Sequence, residues 1–417
     1  MLRIKKFQAK QKESRSKPVF ILALITAVSL LGDSMLYIVL PIHWREAGLI
    51  SLVEVGVLLS ANRFIRLPLN PLISWLYSRM SLRVGLFVSL LIAGGTTLLY
   101  GWAQGFVFWF ILRCVWGLAW SILRLGAYYM ILDLSTNENR GHLMGTFNGL
   151  SRIGSLAGML GGGFFIEWFG IRDVTFVFGL MSFLILPLIL QIPSAVHIGG
   201  PEGTKVTASS LLKTPLLMRM LVTVFFFMLC LEGMITATLS HLIEVRNVSI
   251  RLDAVIIGAA ALASIIQGSR LIVSVFLSPW IGKKSDGRWG RRPYLITALL
   301  LGAVFITLVE FQIPVYLWLS NLLAILLISS ILVVLMDAFT SDIAEEKSKA
   351  ATIMLYVIIA DVGAAFGPVL GYLSEQSLGL SATYGISAAV LFLLSVQWVF
   401  SREKSSDQAQ STQNTTT

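Results

Sequence analysis

Twelve apolar runs of about 18–27 residues, set apart by short polar breaks, fill most of this 417-residue chain. They fall at about 19–42, 53–77, 84–103, 106–132, 143–168, 174–192, 216–242, 254–280, 294–312, 315–336, 350–373 and 382–400. A helix needs roughly 20 apolar residues to cross a hydrocarbon core. The chain is therefore expected to be an all-α integral membrane protein with twelve transmembrane helices. Its mean hydropathy is +0.80 and only 13% of its residues are charged. An ordinary soluble domain, with about 25% charged residues, is excluded.

Nine charged residues lie well inside the runs, away from their ends: Arg63, Arg66, Arg113, Arg124, Arg152 and Arg270, with Asp33, Glu232 and Asp361. A charge at the centre of a spanning helix costs about 2.5–3.5 kcal/mol on insertion scales. A polar cavity between helices is the economical explanation, and it points to a transporter. A carboxyl in a partly dry site favours its neutral form, so Asp33, Glu232 and Asp361 are candidate proton carriers. The alternative is permanent ion pairing, for example of Asp361 with Arg152.

Arginine stays charged in proteins. Six arginines against three acids leave three positive charges in excess. That excess favours a cargo with a carboxylate or phosphate, which arginine binds in a bidentate manner. Arg113 and Arg124, eleven residues apart, share a helix face. Arg63 and Arg66, three apart, do the same. Gln267 with Arg270 is the second-half cavity candidate, and Trp116, Trp120, Tyr128 and Tyr129 add aromatic surface. The competing role for each arginine is to tie helices together or reach an interface, and for the aromatics it is packing.

The net charge of +10 is distributed unevenly. With the N-terminus inside, the inner ends carry 21 Lys/Arg and the outer loops four. This is the positive-inside asymmetry, and it places both termini in the cytoplasm. The excess therefore argues for a membrane rather than a nucleic acid partner. Residues 1–18 form a basic cytoplasmic N-terminus, which the reading takes as a topology anchor. Cys114 and Cys230 both lie in spans, as buried apolar residues rather than a disulfide. His43, His142, His197 and His241 form no metal or catalytic cluster. No enzyme activity, cofactor or metal is expected.

Residues 193–215 are the longest internal hydrophilic stretch and separate six spans from six. The two halves, 19–192 and 216–400, carry matching features. Asp33 and Glu232 sit at similar depths in spans one and seven. The links Asp133–Arg140 and Asp342–Lys349 each place a base seven residues after an acid. Gly154, Gly158 and Gly162 in span five match the four-residue spacing of Gly363, Gly367 and Gly371 in span eleven, where Pro368 follows. Two pseudo-symmetric six-helix bundles are expected, with a site at the midplane between them. Residues 401–417 read as a disordered cytoplasmic tail.

The loop Gly282-Lys-Lys-Ser-Asp286-Gly-Arg288-Trp-Gly290-Arg291-Arg292-Pro293 resembles the G-x3-D-(R/K)-x-G-(R/K)-(R/K) loop of the major facilitator superfamily, with one extra residue after the Asp. Its first-half counterpart, Ser74 to Arg83 with Arg79, has lost the acid to Ser78. Arg113-x2-Trp116-Gly117 is similar to the family's R-x2-Q-G motif, and Asp33 with Pro41 to the D-x7-P signature of drug exporters. Gly145-x8-Gly154-x3-Gly158-Met159-x2-Gly162 follows the antiporter motif, with Met159 in place of Pro.

The resemblance covers the whole chain and is greatest to the drug/proton antiporter branches. It implies secondary transport by alternating access in the plasma membrane, by a protein functional as a monomer. The motif Asp would form a charge lock, here through Asp286 alone. The glycine rows would act as tight packing or as a rocking seam, and Pro368 favours a bend. The preferred activity is proton-driven efflux of a small organic compound. The alternative is proton- or anion-coupled uptake or exchange of an organic anion. Twelve duplicated spans favour a carrier over a channel.

Overall fold

The computed structural model describes residues 2–135, 140–193, 215–252, 255–287, 289–343 and 349–400. The expected linker at 193–215, apart from its ends, and the tail at 401–417 lie outside the described residues, as do 136–139 and 344–348 of the two matching links.

The helices are α1 (Leu2–Val39), α2 (Leu52–Phe64), α3 (Arg66–Tyr77), α4 (Leu82–Tyr100), α5 (Phe106–Leu134) and α6 (Arg140–Leu184), followed by a 3-10 segment, Leu186–Gln191. The second half has α7 (Pro215–Phe227), a π-helical segment (Met228–Ile235), α8 (Thr236–Val245), α9 (Ala259–Ser285), α10 (Arg291–Leu308), α11 (Val315–Ile343) and α12 (Lys349–Val399). Among the described residues, nine helices are long and apolar enough to cross a membrane. Two of them fold back on themselves. Gly170 and Gly379 adopt φ 76° and 85°, a conformation that glycine takes without a side-chain penalty. Phe178 returns against Gly161 on one side, and Thr383 donates to Ser374 at 3.0 Å on the other. Each therefore makes two passes. The pair α2–α3 makes one more, interrupted at Ile65. Pro68, one turn later, has no N–H to give to the preceding turn. Among the described residues these make twelve passes, one for each apolar run of the sequence.

One expected boundary is corrected. Span eight does not begin at 254. Ile250–Leu252 and Val255–Ile257 pair as an antiparallel hairpin, and the helix starts at Ala259. β-branched residues dominate this stretch, and they suit a pleated strand. Pro368 does not break α12, whose interior departs from helical geometry at Gly379.

Packing repeats between the halves. α1 lies along α6, and α7 with the π segment lies along α12. α4 packs on α5 and α6, and α10 on α11 and α12. α2 and α3 meet α5, and α9 meets α11. The glycine rows make the first of these contacts close. A Cβ on Gly158 would meet the Leu31 backbone, and one on Gly363 the Phe225 backbone. The rows are thus packing seams inside each bundle, as glycine spacing permits. Side chains such as Phe276, Tyr316 and Leu393 face outward, as expected where lipid is the solvent. Buried hydroxyls turn back on their own helix, as when Thr26 donates to Leu22 at 2.8 Å.

The bundles meet along α2–α12 and α6–α9, a pair related by the same exchange of halves. These contacts lie toward the loop end that bears Gly105, Gly170 and Gly379. A Cβ on Gly56 would meet the Pro368 carbonyl oxygen at 2.6 Å, and one on Gly163 the Ala260 carbonyl oxygen at 2.8 Å. Phe64 meets Phe366 edge-on at 4.8 Å, and Ser264 donates to the Met159 carbonyl at 2.8 Å. The loop end is closed.

Candidate functional site

Immediately on the terminus side of these contacts, the bundles separate around two adjoining lobes. The larger, about 260 Å³, is lined by Arg63, Arg66, Arg124, Asp361, Trp116 and Trp120 among others. The smaller, about 150 Å³, includes Glu232, Arg270, Gln267, Thr236 and Arg152. Tyr37, Arg63, Ser155 and Met159 line both and form the waist. Arg152, one turn nearer the termini than Ser155, is exposed. The cavity therefore opens toward the termini.

The three acids have different surroundings. Asp33 lines the larger lobe but is tightly held: Arg113, fully buried, forms an ion pair with it, and Asn62 donates to it at 3.0 Å. Arg113 also donates to the Leu58 carbonyl at 3.0 Å, which binds α1, α2 and α5 together. Glu232 accepts from Arg270 at 2.7 Å and from Ser329 at 2.6 Å. It sits in the π-helical segment, a distortion that recurs at functional sites. Asp361 is the loosely held acid. Its partner is Arg124 at 3.7 Å, and their side chains are 41% and 31% exposed, against 10% and 0% for Asp33 and Arg113.

The expected alternative pairing of Asp361 with Arg152 does not occur. Asp361 on α12 faces α5 across the cavity and meets Arg124 instead. Arg113 and Arg124 also part company despite their shared face. Arg113 turns into its own bundle, while Arg124 reaches the cavity beside Tyr128, to which it donates at 3.2 Å. Arg63 donates to Tyr37 at 3.3 Å. Trp116 and Trp120 stack with centroids 5.8 Å apart. Gln267 is buried, and among the described residues its Nε2 has no hydrogen-bond partner.

The residues of the Gly282–Pro293 loop and of its first-half counterpart lie away from the cavity, toward the terminal end. Arg291 pairs with Asp286 at 2.8 Å and with Asp342 at the end of α11, joining α9, α10 and α11. Gly282 precedes Asp286 and Gly290 immediately precedes Arg291, and Gly290 has φ 65°. Arg292 donates to the Trp398 carbonyl at 2.7 Å, and Arg83 to the Ile192 carbonyl at 2.6 Å. These are equivalent ties at the ends of the two halves. Arg79 lies over Trp75 at 4.3 Å. Gly117 allows α5 to approach Ile65 and the Asn62 backbone.

Sequence reasoning missed Tyr37, Asn62, Ser329 and Asp337. The last is a carboxylate that accepts from Tyr356 at 2.6 Å. The uncharged three carry no signal that distinguishes them from other polar residues in apolar helices. Asp337 was readable as a tenth charge, because α11 runs on to Ile343.

Charged side chains thus converge on a cavity between two repeated bundles. The sequence model of the Major Facilitator Superfamily matches residues 22–273 and 259–416. The chain belongs to the Major Facilitator Superfamily. Membership makes it a multi-pass membrane protein of a transporter family. Over 166 residues it is 27% identical to the human synaptic vesicular amine transporter, covering 39% of this chain and 32% of that protein. The rat chromaffin granule amine transporter is 26% identical over 166 residues, with the same coverage. The chain thus aligns with about a third of the length of these relatives. Its superfamily fold is shared with a bacterial homolog of the human lysosomal transporter Spinster. The inward-facing, occupied structure has a TM-score of 0.74 and 13% identity, and the match covers 92% of this chain and 96% of that one. The inward-facing, unoccupied structure gives 0.72 and 14%, over 94% and 99%.

Proposed function

We propose that this protein is a proton-coupled secondary transporter of a small organic anion, in which cargo and proton bind together. The observation that carries this reading is the loose Asp361–Arg124 pair, 3.7 Å apart and open to the cavity. An anionic cargo competes with Asp361 for the Arg124 guanidinium. Asp361 then loses its positive partner and gains a negative neighbour. Both changes favour its protonated form, so the proton arrives with the cargo. Asp33, held tightly by Arg113 and Asn62, serves in this account as a structural anchor rather than a carrier. Glu232, held by Arg270 and Ser329, is the secondary carrier. The adjoining lobes, about 260 Å³ and 150 Å³, together lie near the lower end of the roughly 300–1,000 Å³ of drug-sized sites, so the cargo is small.

The same reading places the protein as a monomer in the plasma membrane. Both termini are cytoplasmic, on the strength of 21 inner against four outer Lys/Arg. The cavity then faces the cytoplasm, and the bundles over 19–192 and 216–400 rock as units. The direct test adds candidate anions to purified protein in a weakly buffered detergent solution containing a pH indicator. Proton uptake on binding is expected. Proton release on binding would reject the coupling.

Proton-driven efflux is the second reading. It is favoured by the antiporter-like glycine spacing from Gly145 to Gly162 and by the vesicular amine transporters among the relatives. A cationic amine would bind Asp361 and expel its proton, which gives antiport. It would also have to sit among Arg63, Arg66, Arg124 and Arg152, and that arrangement disfavours it.

A further inference from the structure

Each acid that lines the cavity already has an arginine. Asp33 is taken by Arg113, Glu232 by Arg270 and Asp361 by Arg124. Among the described residues Arg63, Arg66 and Arg152 make no ion pair. Their placement is not random. Arg66 lines only the larger lobe, Arg152 only the smaller, and Arg63 the waist that both share. Arg66 is half-buried and its Nε has no hydrogen-bond partner among the described residues. Gln267 offers a buried, unpartnered amide nitrogen in Arg152's lobe. Desolvated donors of this kind cost free energy until an acceptor reaches them. Among the described residues, Asn62 Oδ1 is a fully buried acceptor without a partner beside the larger lobe, and the Asp361 carboxylate there is held by Arg124 at 3.7 Å. The surplus is otherwise one of donors and positive charge at both ends of the cavity.

We propose that the cargo is a small organic dianion with an anionic group at each end. One end docks on Arg66 with Arg124, and the other on Arg152 with Gln267. Arg63 holds the middle of the molecule. This rests on the anion reading above and sharpens it. A single carboxylate would satisfy one lobe and leave the other lobe's guanidinium without a direct ligand; Arg152 feels the Asp337 carboxylate but makes no ion pair with it. An extended dianion satisfies both, and two charge-assisted contacts fix its length as well as its charge.

The test uses the full-length protein in detergent and titrates two matched series. One is succinate, glutarate, adipate, pimelate and suberate. The other is the monocarboxylates of the same carbon number. At least one dicarboxylate is expected to bind about tenfold or more tightly than its monocarboxylate partner. Arg66→Gln and Arg152→Gln should each bring that ratio close to one, while Arg152→Lys retains most of it. Unfolding curves of each variant without ligand separate loss of fold from loss of recognition. Equal binding of the two series, or a ratio that Arg152→Gln leaves intact, would overturn the dianion while keeping the anion reading. Binding of organic amines with no carboxylate bound would overturn both.

Discussion

Replacing Arg113 with leucine isolates the contribution of the buried Asp33 pair. Arg113 is fully buried and Asp33 is 7% exposed, so solvent does not screen them. The substitution leaves the Asp33 carboxylate with Asn62 as its remaining side-chain donor, at 3.0 Å. It also frees the Leu58 carbonyl on α2. Removing one member of a buried ion pair typically costs about 3–5 kcal/mol, because the charge left behind is uncompensated. At 1.4 kcal/mol per factor of ten, that is roughly two to four powers of ten in the folding equilibrium. The assay is denaturant unfolding of purified protein in detergent, followed by tryptophan fluorescence. Arg113→Leu should lose that amount, and Asp33→Asn with Arg113→Leu should recover most of it, since no charge is then stranded. If Arg113→Leu were as stable as the parent while Asp33→Asn alone removed the pH dependence of transport, Asp33 would be a carrier and the anchor assignment would fail.

Asp361→Asn should leave cargo binding intact or tighter, because Arg124 loses its competitor, and should flatten the dependence of flux on pH; a parent-like pH profile would exclude Asp361. Gly163→Val places a side chain against Ala260 and Ser264 across the bundle interface, so it should hold the loop end open. Tyr372 is fully buried against Gly56 at that closed end, so alkylation of Tyr372→Cys should then quicken, and an unchanged rate would count against the gate. Gly158→Val acts inside one bundle, against Leu31, and should instead cost about 1–3 kcal/mol by overpacking, visible as a lower melting temperature with no change in accessibility. Arg83→Ala and Arg292→Ala each release a terminal carbonyl and should destabilise by similar amounts, about 1–3 kcal/mol; widely unequal losses would contradict their equivalence.

The spans and the repeat were legible because they depend on long-range averages: apolar length, basic asymmetry and glycine spacing. The charged cavity was legible because charges in apolar helices have few places to go. The pairings were not. Helical spacing gives Arg113 and Arg124 one face, but the reach of an arginine side chain lets one turn inward and the other cross a cavity. Asp361 and Arg152 occupy corresponding positions in the repeats. Symmetry therefore puts them on opposite sides of the pseudo-axis, each facing the partner half rather than each other. The π segment around Glu232 has no compositional signature. The hairpin at Ile250–Ile257 reads as apolar and so merges with the span that follows it.

Vesicles containing the purified protein, loaded with a pH-sensitive dye and given a gradient of the dicarboxylate that binds best, provide the most direct test of the central claim. The account predicts that protons enter with the anion, so the vesicle interior acidifies as cargo accumulates, and that Asp361→Asn abolishes the acidification. Alkalinisation during cargo entry would mean that proton and cargo exchange, and the co-binding mechanism built on Asp361 and Arg124 would be wrong.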